Sequence, residues 1–245
     1  MVDKQKKSYR SIHQLSPREY MYFPRATMDI GKPGQFSTME LTHIIISMII
    51  LSISFTFALT KSSVLFLMLG SHFDTIRFIQ GLLFSFLGIA TAFFFHELAH
   101  KLMAQKHGLW SEYRMYPKGL LFAFLLSFFT GFVFAAPGAV MFRGEARWFE
   151  EGRIAVAGPL ANLLVAGFTL PFLVFFMFEV QGLLTQSIGF ICVINAILAV
   201  FNLLPFGPLD GVTIVKWNPT IWSIMLILAA FILAFLFPFI TTLLQ

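Results

Sequence analysis

The sequence predicts an all-α polytopic membrane protein of about five transmembrane helices, and three observations point there. Apolar residues make up 58% of the 245-residue chain against 12% charged, with 32 Phe, more apolar surface than a soluble domain of this length needs for its core. Five runs are long and apolar enough to cross a hydrocarbon core of about 30 Å. Charged residues gather between these runs rather than inside them. A soluble enzyme is thereby excluded, and the net charge of +5 reflects basic residues beside particular spans, not a nucleic-acid surface.

Residues 1–42 are polar, interrupted by Pro17, Pro24 and Pro33, and read as a cytosolic N-terminal arm of limited structure. The remainder, 43–245, reads as one membrane-embedded domain. Its first span runs from His43 to Thr60. Val64 to Gly70 is too short to cross, so 61–80 is expected to be an outer loop or a shallow dip. The second span extends from about Phe78 to Met103, with Lys101 and Lys106 near its end and Gly108 suited to capping it. After a polar and aromatic stretch comes the apolar piece Leu120 to Phe134, interrupted by Gly131 and closed by Ala136-Pro137-Gly138. The alternating run Ala139 to Phe142 follows, so a short β or re-entrant hairpin is expected between the second and third spans. The third span covers Ile154 to Phe178, the fourth about Ser187 to Leu204, and the fifth about Thr220 to Leu243. Cys192, the lone cysteine, lies inside an apolar run as a small buried hydrophobe.

Basic residues fix the expected topology. If 120–142 enters and leaves on one side, all of the 17 Lys and Arg except Lys61 and Arg77 fall on the side of the N-terminal arm. A true crossing would move Arg143, Arg147 and Arg153 outside.

The chemistry lies at the end of the second span. In His96-Glu97-Leu98-Ala99-His100 the two histidines are four apart, on one helix face, where they can bind one Zn²⁺ while Glu97 reaches its water. At hydrocarbon depth these groups are costly unless a metal or cavity satisfies them. The pattern predicts a metallopeptidase with one Zn²⁺ per chain. A catalytic zinc usually takes three protein ligands. Of the acids after the motif, Asp210 alone follows an apolar span on the same expected side. It sits in backbone broken by Pro205, Gly207, Pro208 and Gly211, which can turn a carboxylate back toward His96. By itself it also fits an ordinary loop aspartate. Asn162 reads as interhelical glue beside the close-packing Gly158, and Asn202, two turns before Asp210, can point into the site. Ala139 to Phe142 is either an edge onto which an unwound peptide adds as a strand or simply the return arm of the hairpin.

Three blocks together resemble the site-2 proteases, the membrane-embedded zinc metalloproteases of regulated intramembrane proteolysis, in their minimal prokaryotic form. These are His96 to His100, Gly158-Pro159-Leu160-Ala161-Asn162, and Asn202-Leu203-Leu204-Pro205-Phe206-Gly207-Pro208-Leu209-Asp210-Gly211. The resemblance covers roughly 80–215 and implies a three-helix catalytic core. It assigns His96, His100 and Asp210 to the metal, Glu97 to catalysis, and Asn202 to holding substrate or oxyanion; Gly158, Asn162 and Pro205 support the site. The implied partners are a transmembrane protein substrate and the bilayer, with no nucleic acid, and the oligomeric state is not legible.

Rival readings are weaker. Zinc peptidases with the same five residues and a later glutamate ligand would need Glu179, expected on the opposite side. A non-proteolytic chaperone or substrate-binding protein is expected where Glu97 is replaced, and it is present. An ion transporter is expected to carry more intramembrane charge and an internal repeat.

Overall fold

The computed structural model describes residues 35–134, 137–179 and 182–243; most of the expected arm, residues 1–34, lies outside them. Five helical stretches are long and apolar enough to span a bilayer: Thr38–Met68, Thr75–Lys106, Trp148–Phe176, Leu183–Leu203 and Pro219–Ile240. The chain is an all-α polytopic membrane protein with one small two-stranded sheet among the described residues.

Helix α1 (Thr38–Leu59) starts before the expected His43. The Ser37 hydroxyl accepts the Glu40 N–H at 3.1 Å, capping a first turn whose polar residues had placed it in the arm. The short helix α2 (Val64–Met68) follows, within the stretch expected to be an outer loop or a shallow dip. The Asp74 carboxylate then caps α3 (Thr75–Ile89) by accepting the Ile76 and Arg77 N–H groups. A π-helical turn, Ala90–Phe94, joins α3 to α4 (Phe95–Lys106) within one continuous span.

The segment between the second and third spans contains two strands and a helix. Strand β1 (Trp110–Met115), which sequence reading missed, pairs antiparallel with β2 (Gly138–Arg143), from Trp110 opposite Arg143 to Met115 opposite Gly138. Helix α5 (Pro117–Thr130) lies between them and stops where Gly131 takes φ 75°, a left-handed conformation that glycine adopts without cost. At about 1.5 Å per residue α5 is roughly 21 Å long, short of a hydrocarbon core. Because Trp110 faces Arg143, the chain leaves α4 and returns for the next span at the same end of the bundle.

That next span is α6 (Trp148–Glu179), followed by α7 (Leu183–Leu203), α8 (Asp210–Trp217) and α9 (Pro219–Leu243). The α6–α7–α9 core contains Leu163, Ala166, Cys192, Ala196, Ala199, Leu203, Ala229 and Ile232. Alanines at these contacts let backbones approach closely, which favours helix association where lipid offers no hydrophobic driving force. This packing holds α6 against α4, and α7 against the π turn that precedes α4, fixing elements that build the site.

Candidate metal centre

His96 and His100 project from one face of α4 with their Nε2 atoms 3.0 Å apart. Asp210 Oδ2 lies 3.2 Å from the first and 3.1 Å from the second. All three side chains are buried, and among the described residues theirs is the one His, Cys, Asp and Glu cluster close enough to hold an ion. Asp210 is not in unwound backbone as expected: it is the first residue of α8. The irregular stretch is the preceding 204–209, where Pro205 restricts Leu204 to extended backbone and ends α7. The Trp222 indole N–H donates to the Leu203 carbonyl at 2.7 Å, bracing this corner against α9.

Hydrogen bonds outside the triad fix which imidazole nitrogen faces inward. His100 Nδ1 lies 2.7 Å from the Ile154 carbonyl, which can only accept, so Nδ1 carries the proton. His96 Nδ1 lies 2.7 Å from Asn162 Oδ1. The Asn162 amide has only this orientation, because its Nδ2 donates to the Ala92 carbonyl at 2.8 Å and to Asn195 Oδ1 at 3.0 Å. In the neutral histidines both Nε2 atoms are therefore acceptors, and they converge on a carboxylate oxygen that is also an acceptor. Three lone pairs at van der Waals separation call for a cation. Zinc–nitrogen and zinc–oxygen bonds of about 2.0–2.2 Å make the edge of a coordination tetrahedron roughly 3.3–3.6 Å. The observed separations of 3.0–3.2 Å approach that edge to within a few tenths of an ångström, so the donor set fits zinc.

The bundle supplies the remaining support. Any side chain at Gly158 would run into the His96 and His100 rings, so glycine is what allows α6 to press against the two imidazoles. The Ala92 carbonyl that receives Asn162 lies in the π turn, a device common at functional sites. Asn195 on α7 donates in turn to Thr91 Oγ1 at 3.1 Å and to the Ile191 carbonyl at 2.9 Å. Sequence reading missed Asn195 and Thr91, although an asparagine inside an apolar span carries the signal that singled out Asn162.

Glu97, the next residue round α4 from His96, reaches the ribbon. Its Oε2 accepts the Val140 N–H of β2 at 3.1 Å. Val140 faces Tyr113 in the register, and the Tyr113 N–H points to Glu40 Oε1 at 2.9 Å. The two amides thus leave the ribbon on opposite edges, as in a pair that shares no ladder bond. Burial, then the Glu97 charge, push the Tyr113 phenol well above its usual range, partly offset by its hydrogen bond with Ser47.

One expected neighbour is not joined to the triad. Half-buried Asn202 donates to the Leu198 carbonyl of its own helix at 3.1 Å, an internal bond that does not join it to the triad. Glu179 is the last residue of α6, 21 residues beyond Gly158, a helical distance of about 31 Å.

Two curated proteins are similar to this chain. One from Methanocaldococcus jannaschii, described as a "putative zinc metalloprotease", is 36% identical over 193 residues, covering 78% of this chain and 91% of its own. One from Bacillus subtilis, described in the same words, is 29% identical over 152 residues, covering 52% of this chain and 65% of its own. No protein-family model matches. No solved structure matches either.

Proposed function

We infer that this chain, which belongs to the same family of zinc metalloproteases as its archaeal relative, is an intramembrane endopeptidase of the site-2 type, acting on a peptide bond in or near a transmembrane segment of a membrane protein. The observation that carries the reading is the convergence of His96 Nε2, His100 Nε2 and Asp210 Oδ2, all acceptors, at the buried end of a membrane span.

His96, His100 and Asp210 would hold the metal, and Asn162 and the Ile154 carbonyl orient the two imidazoles toward it. When bound, Zn²⁺ supplies Lewis acidity toward a water molecule and a peptide carbonyl. Glu97, the residue after His96 and not a ligand, takes a proton from the attacking water and returns it to the leaving amine. A transmembrane helix shields its carbonyls by internal hydrogen bonds, so the substrate has to unwind locally before cleavage. Strand β2 suits such a segment: its Val140 N–H faces away from β1, toward Glu97, so a strand added on this edge runs beside the base. In this reading the N-terminal arm and the metal end of the bundle face the cytosol.

The test is cleavage of a membrane-protein substrate by the purified protein, with bound metal measured on the same samples. The intact chain should contain one zinc and cleave, and Glu97→Gln should keep the zinc without cleaving. Equal turnover by the two would overturn the assignment.

A further inference from the structure

The end of α4 carries a buried ion pair that the proposed chemistry leaves unused. Lys101, the residue after His100, is 1% exposed and pairs with Glu40, which is 0% exposed, at 2.5 Å. The ammonium also lies 4.3 Å from the centre of the Phe36 ring. Glu40 belongs to the first turn of α1, so the pair joins the start of the first span to the motif helix. Its two oxygens serve different partners: Oε2 meets Lys101 and Oε1 accepts the Tyr113 N–H of β1.

This arrangement has a geometric consequence. The ribbon is held on one edge by Glu40 through Tyr113, and across the register the Val140 N–H presents the other edge to Glu97. Among the described residues the ribbon is two strands wide. One fixed edge therefore sets the position of the other. A buried ion pair adds little net stability over an apolar pair of the same shape, so stability alone does not account for Glu40.

We propose that Glu40 is a positioning residue: braced by Lys101, it anchors the Tyr113 amide and so sets where the Val140 edge of β2 lies relative to Glu97, and with it the affinity for a substrate that takes over that amide as an added strand. The kinetic part of this inference rests on the protease reading; the anchoring part does not.

Two double variants separate the amide anchor from the charge. Glu40→Gln with Lys101→Met removes both charges but keeps an oxygen for the Tyr113 N–H, whereas Glu40→Leu with Lys101→Met removes that oxygen as well. Hydrogen exchange in nanodiscs should show the Tyr113 amide protected in the intact protein and in the Gln–Met variant. In the Leu–Met variant it should exchange at least about ten-fold faster, the size expected for losing one buried hydrogen bond, with α6 and α7 unchanged. In cleavage assays the Leu–Met variant should raise KM about ten-fold at similar kcat and zinc content, and the Gln–Met variant should restore KM. An unprotected Tyr113 amide in the intact protein overturns the proposal without any variant. Equal exchange in the two variants, or an unchanged KM for the Leu–Met variant, overturns it too. Failure of the intact chain to cleave would count against the protease reading alone, since the exchange comparison still decides the anchor.

Discussion

The two sides of α4 solve different problems. Toward α6 and α7, a chain of neutral amides runs from His96 through Asn162 to Asn195 and Thr91. Toward α1 and the ribbon stands a charged pair, Glu40 with Lys101, together with Glu97. Neutral groups suit the first side because their donors and acceptors fix an imidazole tautomer without adding charge that would compete for the metal. A full charge suits the second because a carboxylate can serve an ammonium and a backbone amide at once. The contrast teaches how the proposed roles divide: in that reading one side governs metal binding and the other governs what is done beside the metal.

The sharpest way to break this division is to remove a ligand. His96→Ala, His100→Ala or Asp210→Ala should each abolish stoichiometric zinc and, with it, cleavage. Tight zinc retained by any of them, read by metal analysis, would move the site elsewhere. Next in size is Glu97→Gln, which should lower turnover by about 10² to 10⁴ while zinc remains. A matching loss of zinc would erase the distinction between the two sides.

Asn162→Ala should weaken zinc affinity by about 10- to 100-fold, the usual effect of deleting a group that orients a ligand, and competition with a chelator measures it. If the loss fell instead on KM with affinity intact, the assignment of Asn162 to the metal side would fail. Lys101→Ala should lower stability by about 3–5 kcal/mol by leaving the Glu40 carboxylate buried and unpaired, whereas Lys101→Met together with Glu40→Gln should recover most of it. Denaturation in detergent distinguishes them. Asn195→Ala should have the smallest effect on zinc, a few-fold at most, because Asn162 keeps its bond to the Ala92 carbonyl.

Much of this was legible in the sequence because hydrocarbon imposes a simple rule: long apolar runs with charges at their ends. The same rule made His96, Glu97 and His100 conspicuous. What escaped has physical causes. Glu40 was read as part of a polar arm, since a charged first turn looks alike whether water or Lys101 satisfies it. Strand β1 carries Glu112 and Arg114, which are buried and pair with each other, whereas two charged residues in so short a stretch read as a solvated loop. The π turn has no residue signature; the groups that meet it, Asn162 at the Ala92 carbonyl and Asn195 at Thr91, are distant in sequence. Helix α8 is eight residues long, too short for periodicity to reveal.

X-ray absorption at the zinc edge, on the purified chain and on Asp210→Ala, tests the metal assignment most directly. The intact protein should show two imidazole nitrogens with oxygen completing the shell at about 2.0–2.2 Å, and the variant should lose that signature or the metal altogether. Zinc bound without imidazole, or a spectrum unchanged by Asp210→Ala, would contradict the site.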